Sequence, residues 1–417
     1  MTAAIQNFKR TKFACFYTYV AMSSVFSLPP LLFVTFRETY GISYTLLGTL
    51  VLINFCTQLT IDLIFTFFTK YFNIKKTVRV MPLLTALGLS VYALVPTLFP
   101  QHAYAGLVLG TVIFSVAAGL CEVLLSPLVA ALPSDNPERD MSLLHSLYGW
   151  GVVLVVGVST LYFAVFGTEN WMYLTLFWAL LPVGSFVLYS VSPIPAMDLT
   201  HSDGASPKKA AKRTVGMALC VACIFLGSSA ENAMTNWISA FIENALHIPK
   251  AVGDILGLAL FAFLLASTRT IYAKHGRNIY KMLLVSMAGA FIFYVVAGIS
   301  PSTLVAMLAC VLLGICTSML WPGTLILMEE KMPNPGVAAY ALMAAGGDFG
   351  GSIAPQLLGA MVDSVAASDW GIALAQSMAI SPEQVGMKAG VLVSSLFPLA
   401  GIGVLLIIGR YFKKVKL

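Results

Sequence analysis

Long apolar stretches, each closed by a short polar break, follow one another from residue 11 to residue 411. Most exceed about twenty residues, the length at which a helix crosses the hydrocarbon core of a bilayer. Twelve helices are predicted, at 11–36, 44–69, 78–99, 103–131, 141–166, 170–192, 214–242, 250–272, 280–299, 303–328, 337–362 and 383–411. The short alternating strands of a membrane barrel are not seen, and helices satisfy their own backbone polar groups in lipid. The last helix carries a start signal. Ser381 stands at the N-cap, Pro382 at the first helical position and Gln384 three residues after the cap.

Composition agrees with the pattern. Of 417 residues, 59% are hydrophobic and 10% charged, with a mean hydropathy of +0.87. A soluble domain carries about 25% charged residues, so this surface does not mainly face water. Of the 24 Lys and Arg residues, all but Arg37, Lys250 and Lys388 fall in loops or span ends on one side. This bias predicts both termini in the cytoplasm. The net charge of +6 is then explained by topology anchors, and no nucleic-acid partner is expected. The first apolar stretch is too long for a cleavable signal and is read as the first span. All seven cysteines fall in predicted spans, and the Cys220–Cys223 pair has neither a second pair nor a nearby His. They are read as membrane packing; no metal site, no cofactor and no enzymatic constellation are expected.

Residues 193–213, rich in Pro, Ser, Asp and Lys, read as a cytoplasmic linker between a half at 1–192 and a half at 214–417. Two segments of the form Gly-x-Cys-x5-Pro lie 195 positions apart: "GLCEVLLSP" (119–127) and "GICTSMLWP" (314–322). Each occupies the fourth span of its half, and each precedes a short loop containing Asn-Pro. The later copy has Thr317 where the first has Glu122. This pattern is that of an internal duplication.

On the 6+6 layout, the long middle loop and the basic loops after spans two and eight, the chain resembles the major facilitator superfamily over essentially its whole length. That resemblance implies an all-α membrane protein of two pseudo-symmetric six-helix bundles, with a cavity near the midplane lined by spans one, four, seven and ten. A nearer resemblance is to bacterial fucose-permease-like sugar–proton symporters. It rests on "GLCEVLLSP", "LLHSLYGWG" (143–151) and "ENAMTNW" (231–237). It departs at two places. The superfamily's loop motif survives only as "TKYFNIKK" (69–76), with Asn73 expected in the left-handed tight-turn position. The first span carries no acid, so the coupling scheme of that family does not transfer whole.

Polar residues inside spans are costly and mark functional faces. Glu122 shares a helical stripe with Ser115, Gly119 and Ser126, and is expected to couple transport to protons; a helix–helix hydrogen bond is the plainer alternative. In span seven Ser228, Glu231, Thr235 and Ser239 form one stripe and Asn232 and Asn236 the next, with Trp237 at the edge. Glu231, Asn232, Thr235, Asn236 and Trp237 are expected to contact the substrate, Trp237 by stacking or else as an interface anchor. Glu231 and Asp348 are further coupling candidates; pairing or capping are the other roles open to Asp348. His145, Trp150 and Trp321 join the binding set, His145 with a structural alternative and Trp321 facing Glu122. Asn54, Gln58 and Asp62, spaced by four in span two, are expected to act as a gate or in a hydrogen bond between the halves. No Lys or Arg occupies mid-span, Arg269 being nearest at the inner end of span eight. That absence suits a neutral polyhydroxylated solute, or secondarily a cation.

The expected protein is a monomeric transporter in a bacterial cytoplasmic membrane, with protons, a small neutral solute (a sugar) and the lipid bilayer as partners. The alternatives are proton-coupled efflux of organic cations or drugs, and a sensor or lipid-handling protein on the same fold. The short termini, without an added soluble domain, count against a sensor.

Overall fold

The computed structural model describes residues 2–68, 71–135, 137–195, 207–276, 278–332 and 337–414. Among these the regular structure is helical. The first six helices are α1 (Thr2–Tyr40), α2 (Tyr44–Phe68), α3 (Ile74–Leu98), α4 (Ala103–Ala130), α5 (Pro137–Phe166) and α6 (Trp171–Ser190). α7 (Pro207–Ala240) continues into a π-helical turn at Phe241–Ala245. The eighth span joins α8 (Lys250–Gly253), a π-helical turn Asp254–Ala259 and α9 (Leu260–His275). α10 (Ile279–Ile299) follows, and the tenth span is split into α11 (Thr303–Thr317) and α12 (Leu320–Lys331). α13 (Val337–Ala366), α14 (Asp369–Met378), α15 (Pro382–Ser394) and α16 (Leu396–Lys414) complete the chain.

Among the described residues eleven helices are long and apolar enough to cross a membrane, or twelve when the bent pair Leu342–Ala366 and Asp369–Met378 counts as one span. The 78° bend puts α14 off the line of α13, an element the hydrophobic pattern did not separate. Caps account for several boundaries. Gly41, at φ +66°, ends α1 in the left-handed conformation that a side chain resists, with its N–H on the Arg37 carbonyl. Ser381 and Gln384 form the reciprocal capping box on α15 that the sequence indicated. Asn73 departs from expectation. It is extended, at φ −82°, and its side chain accepts from the Lys76 N–H. It acts as the N-cap of α3, and that satisfies a helix-terminal donor without a left-handed turn.

The chain forms two compact units: Met1–Ile42 with Ile53–Thr200, and Ser43–Leu52 with His201–Leu417. The first ten-residue segment of span two therefore groups away from the 1–192 half. Of the 193–213 connection, residues 196–206 lie outside the described residues, while 207–213, read from sequence as linker, form the start of α7. Within the first unit, α3 and α4 approach closely. A Cβ at Gly88 would collide with the Phe114 backbone, and one at Gly110 with Tyr92. Within the second, a Cβ at Gly350 would collide with the Phe225 carbonyl, so α7 and α13 meet backbone to backbone. Small residues at such crossings let van der Waals packing hold helices together where lipid supplies no hydrophobic drive.

Candidate functional site

In the first unit the polar stripe of α2 meets that of α4. The Ser115 hydroxyl donates to Asn54 Oδ1 at 2.6 Å, and Gln58 Nε2 donates to the same oxygen at 3.0 Å. Gly119 lets α2 come close, because a Cβ there would stand 3.1 Å from the Gln58 carbonyl. One turn on, Asp62 is buried, and a carboxylate oxygen of Asp62 lies within 4.8 Å of one of Glu122. Tyr19 of α1 adjoins Glu122 and hydrogen-bonds Ser126. The structure thus brings Asn54, Gln58 and Asp62, read from sequence as a gate, onto the stripe that carries Glu122. Two carboxylates on adjacent helices are chemistry for holding and passing a proton.

On α5, Tyr148 packs edge-on against Phe26, with centroids 5.7 Å apart, while Trp150 is exposed. The side chain of His145 lies outside the described residues.

The second unit holds the span-seven residues. Asn232 Nδ2 donates to the Ser228 carbonyl and hydroxyl, both at 3.1 Å, and Asn236 Nδ2 donates to the Asn232 carbonyl at 2.9 Å. The Thr235 hydroxyl donates to the Glu231 carbonyl at 2.8 Å. Donors are thus used within the helix, and among the described residues both Asn Oδ1 atoms accept nothing. Trp237 is fully buried. Its indole N–H donates to the Pro355 carbonyl at 3.0 Å, and its ring packs on Tyr44 at 5.7 Å. It therefore offers no open face for stacking on a solute, because helix packing already uses both its ring and its donor.

Glu231 is not free either. Arg269 Nη2 donates to its two carboxylate oxygens at 2.9 and 3.1 Å. Arg269 Nε donates to the Ser318 carbonyl at 2.8 Å, in the two-residue break between α11 and α12. Tyr294 of α10 donates its hydroxyl to the Ala230 carbonyl at 2.6 Å, next to Glu231. The expectation of no cation at this level is corrected. The backbone of Arg269 sits towards the end of its span, but its long side chain carries the charge to Glu231. The signal was in the sequence, since an acid in one span and an Arg in the next invite pairing.

Asp348 is buried on α13 among four glycines. A Cβ on its neighbour Gly347 would collide with the Trp321 ring, so Trp321 lies across the backbone beside Asp348. The sequence also passed over Asp254. It is buried in the eighth span, hydrogen-bonded by the Ser239 hydroxyl and paired with Lys250 at 3.3 Å. Both π-helical turns adjoin this cluster, and such turns accompany functional sites.

Apolar helices of bilayer length, a broken span whose freed carbonyl faces a charged side chain, and acids buried in spans are features that membrane transporters share. The chain belongs to the Major Facilitator Superfamily, whose family model matches residues 14–355. Members are transporters working by alternating access. No curated protein sequence matches the chain. Among solved structures it is similar to a bacterial homologue of the human lysosomal transporter Spinster, in an inward-facing and occupied conformation. That match has a TM-score of 0.74 and 12% identity, covering 99% of this chain and 98% of that one. A D-xylose–proton symporter gives 0.72 and 13%, with coverage of 94% and 97%. The Escherichia coli fucose:proton symporter gives 0.61 and 13%, with coverage of 96% and 98%.

Proposed function

We propose that this chain imports a small neutral polyhydroxylated solute, a sugar, together with protons. The observation that carries the reading is the Glu231–Arg269 pair. The two charges offset each other, so the α7 surface beside them offers hydrogen-bonding groups without net charge. Glu231, Asn232, Thr235 and Asn236 form the solute-binding face. Glu122 carries the proton, with Asp62 as the neighbouring acceptor, and Asp348 beside Trp321 responds to it. The halves at 1–192 and 214–417 are the alternating bodies, and the one-sided distribution of Lys and Arg supports cytoplasmic termini in an inner membrane. The similar xylose and fucose symporters support the substrate class.

The test is uptake by protein reconstituted in liposomes, across a panel of radiolabelled neutral sugars, with the outside made acidic. Accumulation that collapses on adding a protonophore is the expected result. Transport of organic cations with no sugar uptake would overturn this reading in favour of efflux.

A further inference from the structure

Arg269 has five N–H donors in a rigid planar fork. Three bonds are made: Nη2 to each Glu231 oxygen and Nε to the Ser318 carbonyl. Among the described residues, the two N–H groups of Nη1 meet no acceptor. The side chain is largely buried, yet 22% of it is accessible. A guanidinium held on two sides, with its third edge open, is oriented for a partner that the protein does not supply.

Glu231 has a matching surplus. A carboxylate offers about four lone-pair sites, and Arg269 occupies two. Open donors and open acceptors therefore stand side by side, on residues of α7 and α9. A hydroxyl group both donates and accepts, and two hydroxyls on neighbouring carbons present that pair of functions side by side. A carboxylate ligand fits less well, because it would bring a second anion to a cation that Glu231 already neutralises.

We infer that Arg269 is a specificity residue, and that its Nη1 edge together with Glu231 recognises a pair of adjacent hydroxyls on the solute. This rests on the neutral-solute reading above and adds to it the contact residue and the chemical feature selected. The sequence alone left Arg269 among the topology anchors.

The test uses the full-length protein in detergent and isothermal titration with neutral aldopentoses and aldohexoses, their monodeoxy analogues and the matching uronates. Arg269→Lys keeps the positive charge beside Glu231 but has no third edge. It should melt close to the wild type and bind the best neutral sugar at least tenfold more weakly. It should also lose the preference for that sugar over one particular deoxy analogue. If Arg269→Lys keeps the full deoxy discrimination of the wild type, Arg269 is a structural ion-pair partner only and the inference falls. Wild-type preference for a uronate over its neutral sugar would overturn the hydroxyl assignment. If the wild type binds no neutral sugar in the panel, the neutral-solute reading itself fails and the inference goes with it. Should Arg269→Lys fold poorly, Glu231→Gln with Arg269→Gln, which buries no lone charge, must show the same loss of discrimination.

Discussion

Asp363 caps the start of α2 at Thr45. Its Oδ2 accepts from the Thr45 backbone N–H and from the Thr45 hydroxyl, both at 2.6 Å, and its Oδ1 accepts from the Tyr44 N–H at 3.4 Å. The first N–H groups of a helix have no partner within it, and an anion there also meets the positive end of the helix dipole. Tyr44 fits because α13 carries Gly359 at the contact, where a Cβ would collide with the Tyr44 carbonyl. These contacts are why Ser43–Leu52 group with the second unit, while the rest of α2, from Ile53, groups with the first.

Removing that cap should be visible as lost stability. Asp363→Ala leaves two backbone donors and the Thr45 hydroxyl without their acceptor, at a cost of about 0.5–2 kcal/mol. Asp363→Asn retains an acceptor oxygen and loses only the charge, so its effect should be smaller. Thermal melts in detergent should rank wild type above Asn above Ala. Three coincident melting curves would show that the cap contributes nothing measurable.

Trp237 gives a second separation of roles. Trp237→Phe keeps the ring against Tyr44 but deletes the indole N–H that Pro355 accepts, leaving a buried carbonyl with one bond fewer. A stability loss of about 1 kcal/mol is expected, with solute affinity unchanged. A tenfold loss of affinity at unchanged melting temperature would return Trp237 to the binding face.

What the sequence made legible follows from what it encodes directly. Span number, the Ser381 capping box and the placing of Glu122 on one stripe with Ser115 and Gly119 are consequences of local periodicity and helix-end chemistry. The partners of those residues are set by which helix packs against which. Periodicity put Asp62 on a polar face but could not bring it beside Glu122. It fixed the backbone of Arg269 near a span end, and only tertiary packing decides that a side chain of this length turns inward to Glu231. Trp237, read at the edge of the polar stripes, is a further case: the carbonyl of Pro355, 118 residues later and beyond any local pattern, takes its N–H by packing alone.

Asn232 and Asn236 should be tested through their open oxygens. Each amide donates along its own helix, so the group left for a solute is the acceptor Oδ1. Asn232→Ala and Asn236→Ala should each weaken solute binding roughly fivefold or more, as expected for about 1 kcal/mol per neutral hydrogen bond. Asn232→Asp, which keeps an acceptor, should retain more affinity than Asn232→Ala. Wild-type affinity in all three variants, titrated with the best sugar of the panel, would remove this face from the site.

Glu122 carries the most decisive expectation. A proton carrier must change charge during the cycle, and glutamine matches its shape without releasing a proton. Glu122→Gln should therefore bind and exchange solute across the membrane, yet fail to accumulate it when a pH difference is the only driving force. Asp62→Asn should impair accumulation in the same assay more than it impairs exchange, because a proton shared between neighbouring carboxyls loses its second acceptor. Thr317, at the matching position of the duplicated segment, supplies the control. It is buried, and its hydroxyl donates to the Leu313 carbonyl within its own helix. Thr317→Ala should thus leave accumulation coupled to the gradient. The repeat would then divide the labour, with the titratable member in one half and a packing residue in its twin. Full uphill accumulation by Glu122→Gln in liposomes would refute the assignment and move the proton site to Glu231 or Asp348.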